Sequence, residues 1–334
     1  MTDREIKNFQ NFLKYSDNII ITGHENPDAD SICSAIALEY LLSELGKNVI
    51  CINSDPTPFN LQTFDYREVV KNLYDFEKIL SFTKFNLIIV DTNDYTNIGR
   101  ITSTILPKAE RIFFIDHHRH KHENPDNSIF EENASSTCEI IFKLYEFYNI
   151  KIPKEIGDAL YSGILFDSGS FHYPKTSSYT LNIAAKLIDN GTNPNEIYLL
   201  LFEQESIESL KILSKVLSTL ELYHKEQIAI LSLTREMLIE TKAKYEEASD
   251  LINIPLKSYN IKAVIFFKEH PDGSKRVAMR SKGNVDVATI ALAYDGGGHR
   301  NAAGFKLREP FNDFNDIKPI LIENIKTLID DAIW

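Results

Sequence analysis

The stretch Asp17-Asn18-Ile19-Ile20-Ile21-Thr22-Gly23-His24-Glu25-Asn26-Pro27-Asp28-Ala29-Asp30 decides the fold. Its unalternating apolar run Ile19-Ile20-Ile21 ends in Thr22-Gly23-His24. From Ser31 to Leu45 the apolar positions Ile32, Ala35, Ile36, Leu38, Leu41 and Leu42 recur at helical spacing before Gly46. That is strand, loop, helix. Val49 to Ile52, Leu87 to Val90 and Ile112 to Ile115 are further short apolar runs of the same kind. Runs like these between helices describe strands covered on both faces, so the expected fold is α/β with an N-terminal parallel sheet. Ser135-Ser136-Thr137 with Glu139 reads as a cap opening a helix to Tyr148, and Pro153 opens another to about Leu165. Helical spacing continues through Leu181 to Ile188 and Leu199 to Leu222, which makes residues 190–224 a helical connector.

A smaller C-terminal α/β unit follows over 225–334. Gln227 to Leu231 reads as a strand, and Ala263 to Phe267 pairs with Arg276 to Arg280 as a hairpin around Pro271-Asp272-Gly273. Asp286 to Ala293 reads as a helix, Asp295 to Arg300 as a glycine-rich loop, and Ile317 to the C-terminus as an amphipathic helix. The chain of 334 residues is long enough for two domains. Its 43% apolar and 25% charged residues place it among globular proteins. A net charge of −12 opposes sequence-independent binding to long nucleic acid, so a nucleic-acid substrate is expected to be short. Cys33, Cys51 and Cys138 form no CxxC and read as free thiols in a reducing compartment. No apolar run approaches the ~18 residues of a membrane span. A cytoplasmic protein without membrane partners is expected.

Four places set Asp or His just after an apolar run, where α/β sheets bind ligands. They are His24 with Asp28 and Asp30, then Asp91 with Asp94, then Asp116-His117-His118, and Asp167 in Gly163-Ile164-Leu165-Phe166-Asp167-Ser168-Gly169. Taken singly, Asn26-Pro27-Asp28 also reads as a capped turn, and Asp116-His117-His118 as a solvated loop running on through Arg119, His120, Lys121 and His122. Their joint occurrence argues for convergence. Carboxylates gathered at one sheet edge raise one another's pKa, and divalent cations are the simple way to hold them ionised. Oxygen donors with imidazole suit Mn²⁺ first and Mg²⁺ next, ahead of Zn²⁺ or Fe²⁺. Two such ions ~3.5–4 Å apart would activate a nucleophile and neutralise charge on a phosphoryl group.

The set HENPDAD, VDTND, DHH and GILFDSGSF resembles the four motifs of the DHH phosphoesterase superfamily. RSKGNVDVATIA with GGGHRNAAGF resembles its associated C-terminal substrate-binding domain. The chain is most similar to the nanoRNase and pAp phosphatase type and to stand-alone cyclic di-AMP phosphodiesterases. The resemblance implies a DHH catalytic domain over 1–189 and a substrate-binding domain over 225–334. It implies that His24, Asp28 and Asp91 hold one ion, that Asp30, Asp91, His117 and Asp167 hold the other, and that Co²⁺ is a further candidate metal. Asp116 and His118 would support this shell or meet the phosphate, with Asp94 a weaker candidate. Arg280, Gly296, Gly297, Gly298, His299 and Arg300 would grip substrate, which would sit between the two units. The chain departs from the family at Asp295, where a fourth glycine is usual, and at Ser168 and His172, where Thr and Arg are usual.

The implied activity is hydrolysis of oligoribonucleotides of two to five residues, of pApA, and of the 3′-phosphate of pAp, by two-metal in-line attack of hydroxide. Cyclic di-AMP cleavage is the alternative, and a catalytically silent nucleotide sensor the second. Assembly as a homodimer stays open.

Overall fold

The computed structural model describes residues 1–65, 67–75, 84–119, 127–311 and 313–332. The polar run at His120, Lys121 and His122 lies outside the described residues. The chain divides into two units, Met1–Gln204 and Glu205–Trp334.

The first unit is built on strands β1 (Asn18–Thr22), β2 (Asn48–Asn53), β3 (Val70–Asn72), β4 (Asn86–Val90), β5 (Ile112–Asp116) and β6 (Ser128–Phe130). They lie in the order β3-β2-β1-β4-β5-β6 with every neighbouring pair parallel. Both faces are dry, which explains why the strand sequences do not alternate. Ile19, Ile21, Ile88, Val90, Phe113 and Ile115 pack on one side, while Ile20, Ile52, Leu87, Ile89 and Phe114 pack on the other. The helices are α1 (Asp3–Lys14), α2 (Ala29–Glu44), the single turn α3 (Ile101–Thr104), α4 (Thr137–Tyr148), α5 (Lys154–Asp167), α6 (Ser178–Asp189) and α7 (Pro194–Phe202). Strand order reverses between β1 and β4, so a crevice opens at their carboxyl ends, the place where such sheets receive ligands.

The second unit is a mixed sheet of β7 (Glu221–Tyr223), β8 (Ile228–Leu233), β9 (Ala263–Glu269), β10 (Lys275–Ser281), β11 (Gly297–His299) and β12 (Ala302–Lys306). The order is β11-β12-β10-β9-β8-β7, with β8 and β9 parallel and the other pairs antiparallel. Its helices are α8 (Ile207–Leu217), α9 (Arg235–Thr241), α10 (Val287–Leu292) and α11 (Phe314–Asp330). Two apolar clusters drawn from residues 212–329 fill it.

Two expectations are amended. The continuous helical spacing through Leu199 to Leu222 breaks at Glu203-Gln204-Glu205-Ser206, because Ser206 caps α8 by accepting the Ser209 N–H, and Leu222 belongs to a strand. The glycine-rich segment is also more than a loop. Gly297 to His299 pair with Ala302 to Gly304 as an edge strand. The strands β3 and β6 and the helix α1 had no sequence expectation at all. The three cysteines are free and buried. Among the described residues no helix is long and apolar enough to cross a membrane.

Candidate metal centre

β1 delivers His24 into the crevice. The ring Nδ1 lies 2.7 Å from the Glu25 carbonyl, to which it can donate, and this turns Nε2 toward two carboxylates. Asp28 Oδ1 is 3.7 Å from that nitrogen and Asp91 Oδ2 is 3.5 Å from it. Asp28 is held because it caps α2, its Oδ1 accepting the N–H groups of Asp30 (3.0 Å) and Ser31 (3.1 Å). Asp30, in the first turn of the same helix, points the other way. Its Oδ2 accepts the Thr137 N–H (2.6 Å) and its Oδ1 the Cys138 N–H (2.9 Å), so a buried carboxylate meets the N-terminal end of α4. α5 comes close enough for this only because residue 163 is glycine. A Cβ there would stand 2.3 Å from Cys138 Sγ and 2.8 Å from Asp30 Oδ1.

Asp91 follows β4 with φ of 61°, a left-handed conformation unusual for a residue with a side chain. Its N–H continues the sheet by donating to the Ile115 carbonyl at 3.0 Å. Its two oxygens face different neighbours: Oδ2 faces His24, whereas Oδ1 lies 3.6 Å from His117 Nε2 and accepts the Thr137 hydroxyl at 3.0 Å. His117 Nε2 is also 3.0 Å from Asp167 Oδ2 and 4.0 Å from Asp30 Oδ2. Three overlapping donor sets result, His24–Asp28–Asp91, Asp30–His117–Asp167 and, between them, Asp91–His117–His118, each with its ligand atoms within 4.8 Å of one another.

Asp116 has a different role in this geometry. Its Oδ1 accepts the N–H groups of His117 (2.8 Å) and His118 (3.2 Å) and pairs with His118 Nδ1 (2.7 Å), while Oδ2 accepts Asn93 Nδ2 (2.7 Å). Wholly buried and so occupied, it orients the tandem histidines. His118, half exposed, lines a cavity of about 660 Å³ with His24, Asp28, Asp91, Asn93 and Arg119. Asp94 also lines that cavity, but its carboxylate caps a turn through the Thr96 N–H (2.9 Å) and hydroxyl (2.6 Å). His172 is exposed, with its N–H closing a turn onto the Ser168 carbonyl at 3.0 Å.

The electrostatics call for positive charge. Burial lifts Asp91 to about 7 against the attraction of His24. Burial and the Asp91 charge push Asp30 well above the ordinary carboxylate range. At His24 burial works the other way and is overridden by Asp28 and Asp91, which lift the ring to about 11. The buried His117 Nε2 has no hydrogen-bond partner, although Nδ1 lies 3.3 Å from the Ala134 carbonyl. An orphaned imidazole nitrogen aimed at three carboxylates fits a divalent metal ion, and so does the whole oxygen-rich set.

Three supporting residues escaped the sequence reading. Thr137 ties Asp91 to α4, Asn93 fixes Asp116, and Lys175 donates to the His117 carbonyl at 2.9 Å. Thr137 was visible only as part of a helix cap. Asn93 and Lys175 carried no local signal.

In the second unit, the turn after Arg280 is stapled to Arg300 and Asn301, at the end of the glycine-rich strand. Asn301 Nδ2 donates to Ser281 Oγ (2.9 Å) and to the Gly283 carbonyl (3.1 Å), and Arg300 donates to the Asn284 carbonyl (3.1 Å). Gly296 and Gly298 are required by the sheet itself, since a Cβ would stand 2.3 Å from the Gly304 carbonyl oxygen and 2.4 Å from that of Ala302. Gly297, by contrast, has open space above it.

The DHH family, N-terminal domain, matches residues 18–164, and the DHHA1 domain matches residues 225–333. The bifunctional oligoribonuclease and PAP phosphatase NrnA of Bacillus subtilis is 28% identical over 293 residues, covering 86% of this chain and 88% of that one. The cyclic-di-AMP phosphodiesterase PdeA of Listeria monocytogenes is 27% identical over 322 residues, covering 90% of this chain and 46% of that one. The crystal structure of an exopolyphosphatase-related protein from Bacteroides fragilis superposes with a TM-score of 0.83 at 24% identity, covering 99% of this chain and 98% of that one, a likeness of fold.

Proposed function

The chain belongs to the DHH phosphoesterases that carry a DHHA1 C-terminal domain, and from that premise we propose that it hydrolyses short nucleotides. The substrates are oligoribonucleotides of two to five residues, pApA, and pAp at its 3′-phosphate. The observation that carries this reading is Asp91, whose two oxygens divide between the His24–Asp28 set and the Asp30–His117–Asp167 set. A shared carboxylate between two donor sets is the arrangement a pair of divalent ions needs, and two imidazoles among oxygens favour Mn²⁺. When bound, the ions activate water and offset charge on phosphorus.

The protein's own groups do the rest. With Nδ1 held by Asp116, His118 presents Nε2 to the cavity, and the bond to Asp116 raises the pKa of the ring, which favours a protonated donor for a phosphate oxygen. In the second unit Arg280, Gly297, His299 and Arg300 supply charge and donors for the part of the nucleotide that does not react, with Gly296 and Gly298 shaping the strand that presents them. The 28% and 27% identities to the Bacillus and Listeria proteins do not rank oligoribonucleotides above cyclic di-AMP. A panel of pAp, pApA, cyclic di-AMP and RNA of two to five nucleotides, run with Mn²⁺, Mg²⁺ and Co²⁺ and ranked by kcat/KM, decides both substrate and metal. Absence of metal-dependent hydrolysis across the panel and on a generic phosphodiester would leave a nucleotide sensor.

A further inference from the structure

The second unit carries a charged surface that none of the roles above uses. Directly paired residues of neighbouring strands share a face, and positions two apart along a strand return to it. The register therefore lays three rows across one face. Arg280 of β10 pairs with Ala302 of β12, which pairs with His299 of β11. The next row holds Ala278, Gly304 and Gly297. The third holds Lys268 of β9, Arg276 of β10 and Lys306 of β12. Arg276 and Lys306 are exposed and Lys268 is half-buried.

Three cations in register on adjacent strands repel one another, and such rows destabilise a sheet unless something anionic covers them. Among the described residues none of the three forms an ion pair with a carboxylate. Burial, followed by the charges of Arg276 and Arg280, pulls the Lys268 ammonium below its ordinary value against a weaker pull from Asp250. Asp295 and Lys306 line one cavity without pairing. Between this row and Arg280 the floor on β12 and β11 is Gly304 and Gly297, while on β9 the same row is the buried ring of Phe266, with Ala278 packed against its cluster. Four residues of strand separate Arg276 from Arg280, ~13 Å.

We propose that the Lys268–Arg276–Lys306 row is a second phosphate site, engaging an oligoribonucleotide phosphate other than the one held by Arg280 and His299. The inference rests on the nucleotide reading of the preceding section. The glycine floor of β12 and β11 between two cationic rows accommodates a planar base flanked by phosphates, and it offers no side-chain pocket for an acidic peptide. The row favours RNA of several nucleotides over a ligand with a single phosphate.

The test is the Arg276→Gln/Lys306→Gln double variant of the full chain, both positions being exposed. Lys268 is kept because its ammonium lies over the Tyr245 and Phe266 rings, 5.2 and 5.6 Å from their centroids. Binding of a fluorescein-labelled five-nucleotide RNA, followed by anisotropy with chelator present, is expected to weaken about tenfold at low salt. The slope of log K against log salt is expected to fall by about 1.4, at ~0.7 per single-strand phosphate contact. Binding of AMP is expected to change less than twofold. An unchanged slope, an equal loss for AMP, no binding of the RNA by the wild type, or displacement of the RNA by polyglutamate as readily as by unlabelled RNA overturns the proposal. Mn²⁺-dependent hydrolysis of bis(p-nitrophenyl) phosphate by the wild type is measured alongside. Its absence would remove the hydrolase reading while the binding result still decides the row.

Discussion

Asp91 combines a left-handed backbone, full burial and contacts to the donor sets on either side, so its charge is the quantity to change first. Asp91→Asn keeps the shape and removes the charge. Loss of even an outer-shell partner costs ~10–100-fold, so turnover is expected to fall by more than about a hundredfold, with metal stoichiometry reduced and the circular dichroism spectrum unchanged. Near-normal turnover with two metals bound would remove Asp91 from this position. That the residues of the donor sets come together was legible in the sequence because each follows an apolar run or opens a helix, and a parallel sheet gathers such positions at one edge. Thr137, Asn93 and Lys175 were not, because an ordinary Thr, Asn or Lys acquires its role only from what the fold brings beside it.

Among the elements, the approach of α5 to α4 is the narrowest fit. Gly163→Ala would thrust a methyl into Cys138 and Asp30, and overpacking of this kind costs ~1–3 kcal/mol. A lowered Tm together with weakened metal binding is expected, and a variant that loses neither would show that α5 shifts freely. A second joint is Lys143 on α4, which bonds Glu131 (2.5 Å) and Glu139 (3.2 Å). Burial works against ionisation of Glu131, but Lys143 and the N-terminal ammonium outweigh it and hold the carboxyl below its ordinary value. A depressed carboxyl stabilises the fold above the unfolded value of ~4.3 and loses that contribution as pH falls through the folded value. Lys143→Met is therefore expected to be less stable than wild type in urea at pH 6, with the gap narrowing at pH 3. A constant gap would assign the effect to packing. Strands β3 and β6, of three residues each, were too short to leave a periodic signal. Helix α1 carried one in its Thr2–Glu5 capping box and in Phe9, Phe12 and Leu13, but the charged N-terminus obscured it.

At the scale of the whole molecule, a net charge of −12 selects against long strands, whose phosphates meet a repelling exterior beyond the local cationic rows. Two-nucleotide RNA is expected to be cleaved faster than twenty-nucleotide RNA, and equal rates would contradict this. His299→Ala with Arg300→Ala is expected to raise KM for nucleotides while leaving metal content and the slow hydrolysis of bis(p-nitrophenyl) phosphate unchanged. Loss of metal together with all activity would place the segment in the metal centre or the fold. The first unit also closes on itself: its core clusters draw on residues 9–201, and the last donor, Asp167, precedes Gln204, where that unit ends. During synthesis at ~5–20 residues per second, the ribosome needs roughly six to twenty-six seconds to append the remainder. For that interval the nascent chain already has every residue of the donor sets, so on the reading proposed above ions would be acquired, or a wrong ion trapped, before the second unit exists.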